Sequence, residues 1–162
     1  MDQDKINKED FELLKEIQQK YPQFQISIKN PDPARLLVAD DEPGIAQLVM
    51  DLLEPAGIEV CSASNGEEAL RVFKEHRCNL ALIDLRMPKM HGTELLKLLE
   101  GSVDPPPPKA ILVMCAGLGE NLDELKRLGH EVLSKPLDLE WLEGTVLKTC
   151  KKYGLDLKRL PI

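Results

Sequence analysis

Acidic residues follow two of the apolar segments of this chain, and a lysine follows a third. Asp40 and Asp41 come directly after RLLVA, Asp84 closes LALID, and Lys135 follows EVLS. Carboxylates that meet at one point repel one another and resist ionisation unless a cation lies between them. A set of oxygen ligands suits a hard divalent ion such as Mg²⁺ better than a thiolate-binding metal. These residue types therefore predict a magnesium site, provided that the fold brings them together.

The segments that must position these residues alternate between two patterns. Short apolar runs such as AILVMC are typical of strands that are buried on both faces of a parallel sheet, and the segments between them have helical spacing. The predicted strands span 35–40, 58–62, 80–84, 110–115 and 131–133, and the predicted helices span 43–54, 66–76, 92–100, 121–128 and 139–152. Five β-α units of this kind predict a three-layer doubly wound α/β fold. Since the carboxyl ends of parallel strands share one edge, the acids and Lys135 should converge there.

Composition limits the classes of function. The chain has 162 residues, of which 43% are hydrophobic and 30% are charged, as expected for one globular domain with an extension. No apolar run is long enough to span a membrane, and the first residues lack the apolar segment of a secretory signal. We therefore expect a cytoplasmic protein without a membrane partner. The net charge of −7 also disfavours direct binding to nucleic acid.

The cysteines and histidines are predicted to have structural roles. Four cysteines are spread along the chain: Cys61, Cys78, Cys115 and Cys150. They form no CxxC pair and have no histidine cluster nearby in sequence, which argues against zinc and against disulfides, so reduced core thiols are predicted. His91 and His130 are predicted to lie on solvated turns, and His76 at the exposed end of a helix.

A separate helix is predicted at the amino terminus. Apolar residues recur at helical spacing over 5–20, and a proline-rich linker ends near residue 34. The predicted division is a helix and linker over 1–34, a main domain over 35–153 and a tail over 154–162. The apolar stripe of the helix could pack onto its own domain, extend a helix from an upstream domain or form a homodimer, and self-packing is favoured over dimerisation.

Three motifs together resemble the receiver domain of two-component response regulators. They are LLVADDEPG with its acid pair, LIDLRMPKMHG with the pattern D-x-x-M-P-x-x-x-G, and LSKP. The resemblance covers residues 35–153 and implies a flavodoxin-like, five-stranded sheet of order 2-1-3-4-5. No output domain follows the receiver-like region in this sequence, so we expect either a stand-alone receiver or a piece of a longer protein.

The resemblance also implies a chemistry. Asp84 would accept a phosphoryl group from a histidine kinase or a phosphotransfer protein and form an acyl phosphate. Asp41, Asp84 and the backbone carbonyl of Arg86 would hold Mg²⁺, with Asp40 acting mainly through a water molecule. The chain would then be a signalling domain and not an enzyme, apart from self-catalysed phosphoryl transfer and slow autodephosphorylation.

Three further positions follow from the same resemblance. Lys135 would pair with Asp84 before phosphorylation and with a phosphate oxygen afterwards. Pro136 would follow a cis peptide bond, and Gly92 would be a turn or packing glycine.

Two departures from the family pattern concern signal output. Cys115 stands at the switch position, where the family has Thr or Ser, and a thiol is a weaker hydrogen-bond donor than a hydroxyl. Val132 stands where an aromatic side chain usually changes position. A phosphorylation-independent interaction module is therefore the alternative function.

A metal-dependent phosphatase is disfavoured, because Arg86 stands where such enzymes carry a second acid. Asp40 and Asp41 could also serve only as helix caps.

Overall fold

The chain forms five parallel strands that alternate with helices. The computed structural model describes residues 8–24, 32–116 and 122–157. Helix α1 spans Lys8–Lys20, and the remaining elements follow in the order β1 (Arg35–Ala39), α2 (Pro43–Leu53), β2 (Glu59–Ala63), α3 (Gly66–His76), β3 (Leu80–Asp84), α4 (Gly92–Glu100), β4 (Ala110–Cys115), α5 (Leu122–Arg127), β5 (Glu131–Ser134) and α6 (Leu139–Lys152). The strand order is β2-β1-β3-β4-β5, and each neighbouring pair is parallel. The predicted fold class and strand order are confirmed.

Helices cover both faces of the sheet, so neither side of its central strands is exposed to water. Along β1, Leu36 and Val38 point into one apolar cluster, whereas Leu37 and Ala39 point into the other. Helices α2 and α6 bury residues in the first cluster, and helices α3, α4 and α5 bury residues in the second. Side-chain alternation with a period of two thus produces the three layers.

Most predicted element boundaries agree with the structure to within one residue, and the early end of α2 has a local cause. Strand β1 ends at Ala39 and not at Asp40, β2 lies one residue later than predicted, and β5 continues to Ser134. Helix α2 ends at Leu53 and is followed by a 3₁₀ turn over Glu54–Ala56. Pro55 lies within that turn and has no backbone N–H to continue the helix.

The terminal segments contact each other. Residues 5–7 of the predicted first helix lie outside the described residues. Phe11 is the buried residue of α1, and Lys8 Nζ lies 4.0 Å from Asp156 Oδ1. Pro33 pairs with Asp156 in an isolated bridge, and Leu155 belongs to the α2/α6 core. The Lys8 contact favours packing of α1 on its own chain.

No helix in the described ranges is both long and apolar enough to cross a membrane.

Candidate phosphoacceptor site

Asp84 is the carboxylate at the centre of the site. It is the last residue of β3, whose five residues are all buried, so its side chain emerges at the carboxyl edge of the sheet with only 5% exposure. Its Oδ1 accepts a hydrogen bond from the Arg86 backbone N–H at 3.2 Å. Burial raises the pKa of the Asp84 carboxyl above its usual range, and the hydrogen bonds from Lys135 and Arg86 offset this only in part. The metal-free site therefore disfavours a charge on Asp84.

The acid pair after β1 lies beside Asp84. Asp40 is 3% exposed and accepts a hydrogen bond from the Glu42 backbone N–H at 2.9 Å, whereas Asp41 is exposed. Glu42 is itself the N-cap residue of α2, and its side chain makes no capping hydrogen bond. The helix-cap alternative for Asp40 and Asp41 is therefore not supported, because neither occupies the cap position.

Lys135 bridges these acids. Its Nζ lies 2.8 Å from Asp40 Oδ2, 3.1 Å from Asp84 Oδ2 and 3.5 Å from Glu42 Oε1. Burial acts to lower the pKa of the Lys135 ammonium, but its contacts with Asp40 and Asp84 outweigh burial and leave that pKa raised. The Lys135–Pro136 peptide bond is cis, as the resemblance implied. One ammonium group thus faces three carboxylates.

The donor atoms fit a hard cation. Asp40, Asp41 and Asp84 each offer one carboxylate oxygen, and these three oxygens lie within 4.8 Å of one another. Asp40 Oδ2 is the one buried side-chain nitrogen or oxygen in residues 8–24, 32–116 and 122–157 that lacks a hydrogen bond, because its contact with Lys135 does not have hydrogen-bond geometry. The ion pair with Lys135 offsets part of the cost of burying this oxygen, and a divalent cation could satisfy it further. An oxygen-only set of this kind is the type that Mg²⁺ prefers. The role of the Arg86 carbonyl stays a prediction.

Gly92 closes the site from the side of α4. Its backbone N–H donates to Leu85 O at 2.8 Å. A Cβ atom at position 92 would lie 2.4 Å from Asp84 O and 2.6 Å from Leu85 Cα, both of them backbone atoms. Gly92 is therefore a packing glycine that lets α4 begin directly against the residue bearing the predicted phosphoacceptor carboxylate.

The two predicted output positions lie in the core. Cys115 ends β4, is 1% exposed and belongs to the α3/α4/α5 cluster. Val132 is partly buried and packs against the same cluster. The backbone N–H of Lys135 donates to Cys115 O at 2.9 Å, so β4 directly supports the residue that carries the lysine.

The histidine predictions were only partly correct. His76 is exposed at the end of α3, as predicted. His91 is exposed and caps α4, where its ring accepts a hydrogen bond from the Thr93 N–H. The prediction of a solvated turn is wrong for His130, whose side chain is only 12% exposed and whose Nε2 lies 2.8 Å from Glu100 Oε1. The strand order brings the start of β5 beside the end of α4, which sequence spacing alone does not show.

Comparison with known proteins agrees with this geometry. The family description "response regulator receiver domain" matches residues 36–147. The chain is 32% identical over 121 residues to the probable transcriptional regulator ycf27 of Pyropia yezoensis, covering 73% of this chain and 48% of that protein. It is 29% identical over 119 residues to the chemotaxis protein CheY of Bacillus subtilis, covering 71% of this chain and 96% of that protein. The chain thus spans about half the length of the ycf27 relative.

Solved structures give the same result. The Francisella response regulator 1452 receiver domain has a TM-score of 0.62 at 28% identity, covering 76% of this chain and 98% of that one. The response regulator TrrA of Thermotoga maritima, crystallised in complex with Mg²⁺-BeF, has a TM-score of 0.60 at 30% identity, covering 72% of this chain and 98% of that one. By sequence, fold and site, the chain belongs to the response regulator receiver domain family.

Proposed function

We propose that Asp84 accepts a phosphoryl group from a histidine kinase or a phosphotransfer protein, with Mg²⁺ bound, and that the resulting aspartyl phosphate changes the protein contacts of this domain. The observation that carries the proposal is the meeting of Asp84 with Lys135 Nζ at 3.1 Å, beside two further acids from the end of β1. Three separate chain segments contribute to this one point of the sheet edge.

The proposed reaction is a nucleophilic substitution at phosphorus. A carboxylate oxygen of Asp84 attacks the phosphorus of a phosphohistidine, so that a P–O bond forms as the P–N bond breaks. The imidazole nitrogen leaves with the bonding electron pair and takes up a proton. Lys135 then donates to a phosphate oxygen from the position in which it now contacts Asp84. Positioning and charge stabilisation supply most of the catalysis in phosphoryl transfer.

The proposed metal ligands are Asp40, Asp41, Asp84 and the backbone carbonyl of Arg86, with Asp40 acting mainly through water. When bound, Mg²⁺ would neutralise charge on the transferred group. The related TrrA structure, which holds Mg²⁺-BeF, supports Mg²⁺ as the cation.

Phosphorylation by a small donor tests the proposal. The protein is incubated with acetyl phosphate and Mg²⁺, and its intact mass is measured. We expect a gain of one phosphoryl group that disappears in Asp84→Asn and without Mg²⁺. The matched control is Asp123→Asn, on the exposed surface of α5, which should be phosphorylated like the wild type. No gain in the wild type, or an equal gain in Asp84→Asn, would contradict the proposal.

A second candidate, a phosphorylation-independent interaction module, is favoured by the environment of Cys115. The thiol is packed among apolar side chains at the end of β4, and Val132 packs against the same cluster. A receiver with these residues could retain the fold without the usual coupling between phosphate and surface. Beryllofluoride with Mg²⁺ separates the two candidates. Saturable, Asp84-dependent changes in the amide NMR spectrum support the switch, and an unchanged spectrum supports the module.

A further inference from the structure

A second group of metal-ligating side chains lies at the amino end of β2. Glu59 and Cys61 are two residues apart on this strand, so their side chains share a face of the sheet. His76 ends α3, which packs against β2. Each of the three residues offers one ligand atom, and these atoms lie within 4.8 Å of one another. The first site, by contrast, lies at the carboxyl ends of the strands. We call it the acid pocket, and it consists of Asp40, Asp41, Asp84 and Lys135.

A second thiol supports this group. Cys78 follows two residues after His76, and its thiol lies close enough to Cys61 for a hydrogen bond. Both are nearly buried, with exposures of 8% for Cys61 and 2% for Cys78. Cys78 thus places a possible hydrogen-bond partner directly beside the Cys61 sulfur. Cys61 is the sulfur that lies within 4.8 Å of the Glu59 and His76 ligand atoms, so it is the one placed to bind an ion as a thiolate.

Arg35 fixes the carboxylate of the group. Residues Arg35 and Glu59 are opposite each other in the β1/β2 register, and Arg35 Nε lies 3.2 Å from Glu59 Oε2. The guanidinium side chain is 34% exposed, so it can turn to solvent when an ion takes the carboxylate.

We propose that Glu59, Cys61 and His76 bind a thiophilic divalent cation, Zn²⁺ by its ligand chemistry, with Cys78 donating a hydrogen bond to the Cys61 sulfur. One sulfur, one nitrogen and one oxygen ligand form a set that suits Zn²⁺, and a water molecule would complete the tetrahedron. Mg²⁺ avoids sulfur and would prefer the acid pocket. The ion would tie the last turn of α3 to β2. The wide sequence spacing of the cysteines argued against zinc, but folding brings two of them into contact.

Cobalt substitution tests this site. Co²⁺ is titrated into the reduced, full-length protein in the presence of excess Mg²⁺, which occupies the acid pocket, and the near-ultraviolet absorption of a thiolate-cobalt bond is recorded. We expect one Co²⁺ per chain with this absorption, and its displacement by Zn²⁺. The band should vanish in Cys61→Ser. His76→Gln should weaken Co²⁺ binding by at least about tenfold, and Cys78→Ala by about 10–100-fold, as is typical when the partner of a ligand is lost.

Two controls make the outcome decisive. Cys150 is a buried thiol in the other core, so Cys150→Ala should bind Co²⁺ like the wild type. His76 is exposed, so His76→Gln should fold normally, as circular dichroism would verify. The proposal is overturned if the wild type shows no thiolate-cobalt band or if the band is unaffected in His76→Gln.

Discussion

Replacing Gly92 by alanine should destabilise the protein although the residue lies in a helix. The new Cβ would lie 2.4 Å from the Asp84 carbonyl oxygen. A carbon atom normally stays about 3.3 Å or more from such an oxygen, so the backbone must move by roughly 1 Å. The contacted atoms are backbone atoms of Asp84 and Leu85, which no side-chain rotation can displace.

The stability cost of Gly92→Ala can be compared with the effect of the same substitution at Gly144, where an added Cβ meets no other atom. Overpacking of this kind costs about 1–3 kcal/mol, and the helix-propensity gain of alanine returns at most about 1 kcal/mol. We therefore expect Gly92→Ala to lower the free energy of unfolding by about 1–2 kcal/mol. Gly144 lies in α6 with no atom within 4 Å of a Cβ, so Gly144→Ala should raise that free energy by about 1 kcal/mol.

Urea unfolding, followed by circular dichroism without Mg²⁺, measures both changes. Gly92→Ala should also weaken Mg²⁺ binding, because the displaced backbone carries Asp84, whereas Gly144→Ala should leave it unchanged. The reasoning is refuted if Gly92→Ala unfolds within about 0.5 kcal/mol of the wild type, the usual range of surface substitutions.

Three further substitutions test the electrostatics of the acid pocket. Lys135→Met leaves the buried carboxylates of Asp40 and Asp84 without their cation. It should therefore lower the free energy of unfolding by about 3 kcal/mol, measured by urea unfolding in EDTA. An unchanged urea midpoint would contradict the role of the ion pairs. Asp84→Asn should have the opposite effect and raise the urea midpoint in the same assay, because burial raises the pKa of this carboxyl and so disfavours its charged form in the fold at neutral pH. Asp41 is exposed, so Asp41→Asn should leave the metal-free thermal midpoint unchanged. It should nevertheless abolish the stabilisation by Mg²⁺. For the wild type this stabilisation is about 2.7 kcal/mol at an ion concentration 100 times the dissociation constant. Equal stabilisation of Asp41→Asn by Mg²⁺ would remove Asp41 from the ligand set.

The acid pocket was predictable because its position depends on topology. Asp40, Asp84 and Lys135 all lie at the carboxyl ends of strands, and the carboxyl ends of parallel strands meet at one edge whatever the details of packing. The apolar runs of the central strands and the proline in the first turn of α2 are equally local signals. They locate the elements to within one or two residues.

Contacts between distant segments were not predictable in the same way. Cys61 and Cys78 belong to different β-α units, and only the packing of α3 on the sheet brings the second thiol to the first. The pairing of His130 with Glu100 likewise depends on how the end of α4 lies against the start of β5. That Asp40 Oδ2 lacks a hydrogen bond follows from side-chain geometry, on which residue spacing has no bearing.

Mapping the phosphorylated residue tests the central proposal most directly. The protein is treated with a phosphodonor and Mg²⁺, reduced with borohydride, which converts an aspartyl phosphate to homoserine, and sequenced by mass spectrometry. We predict homoserine at position 84 alone, and none when Mg²⁺ is omitted. Homoserine at position 40 or 41, or at no position, would contradict the assignment of Asp84 as the phosphoacceptor.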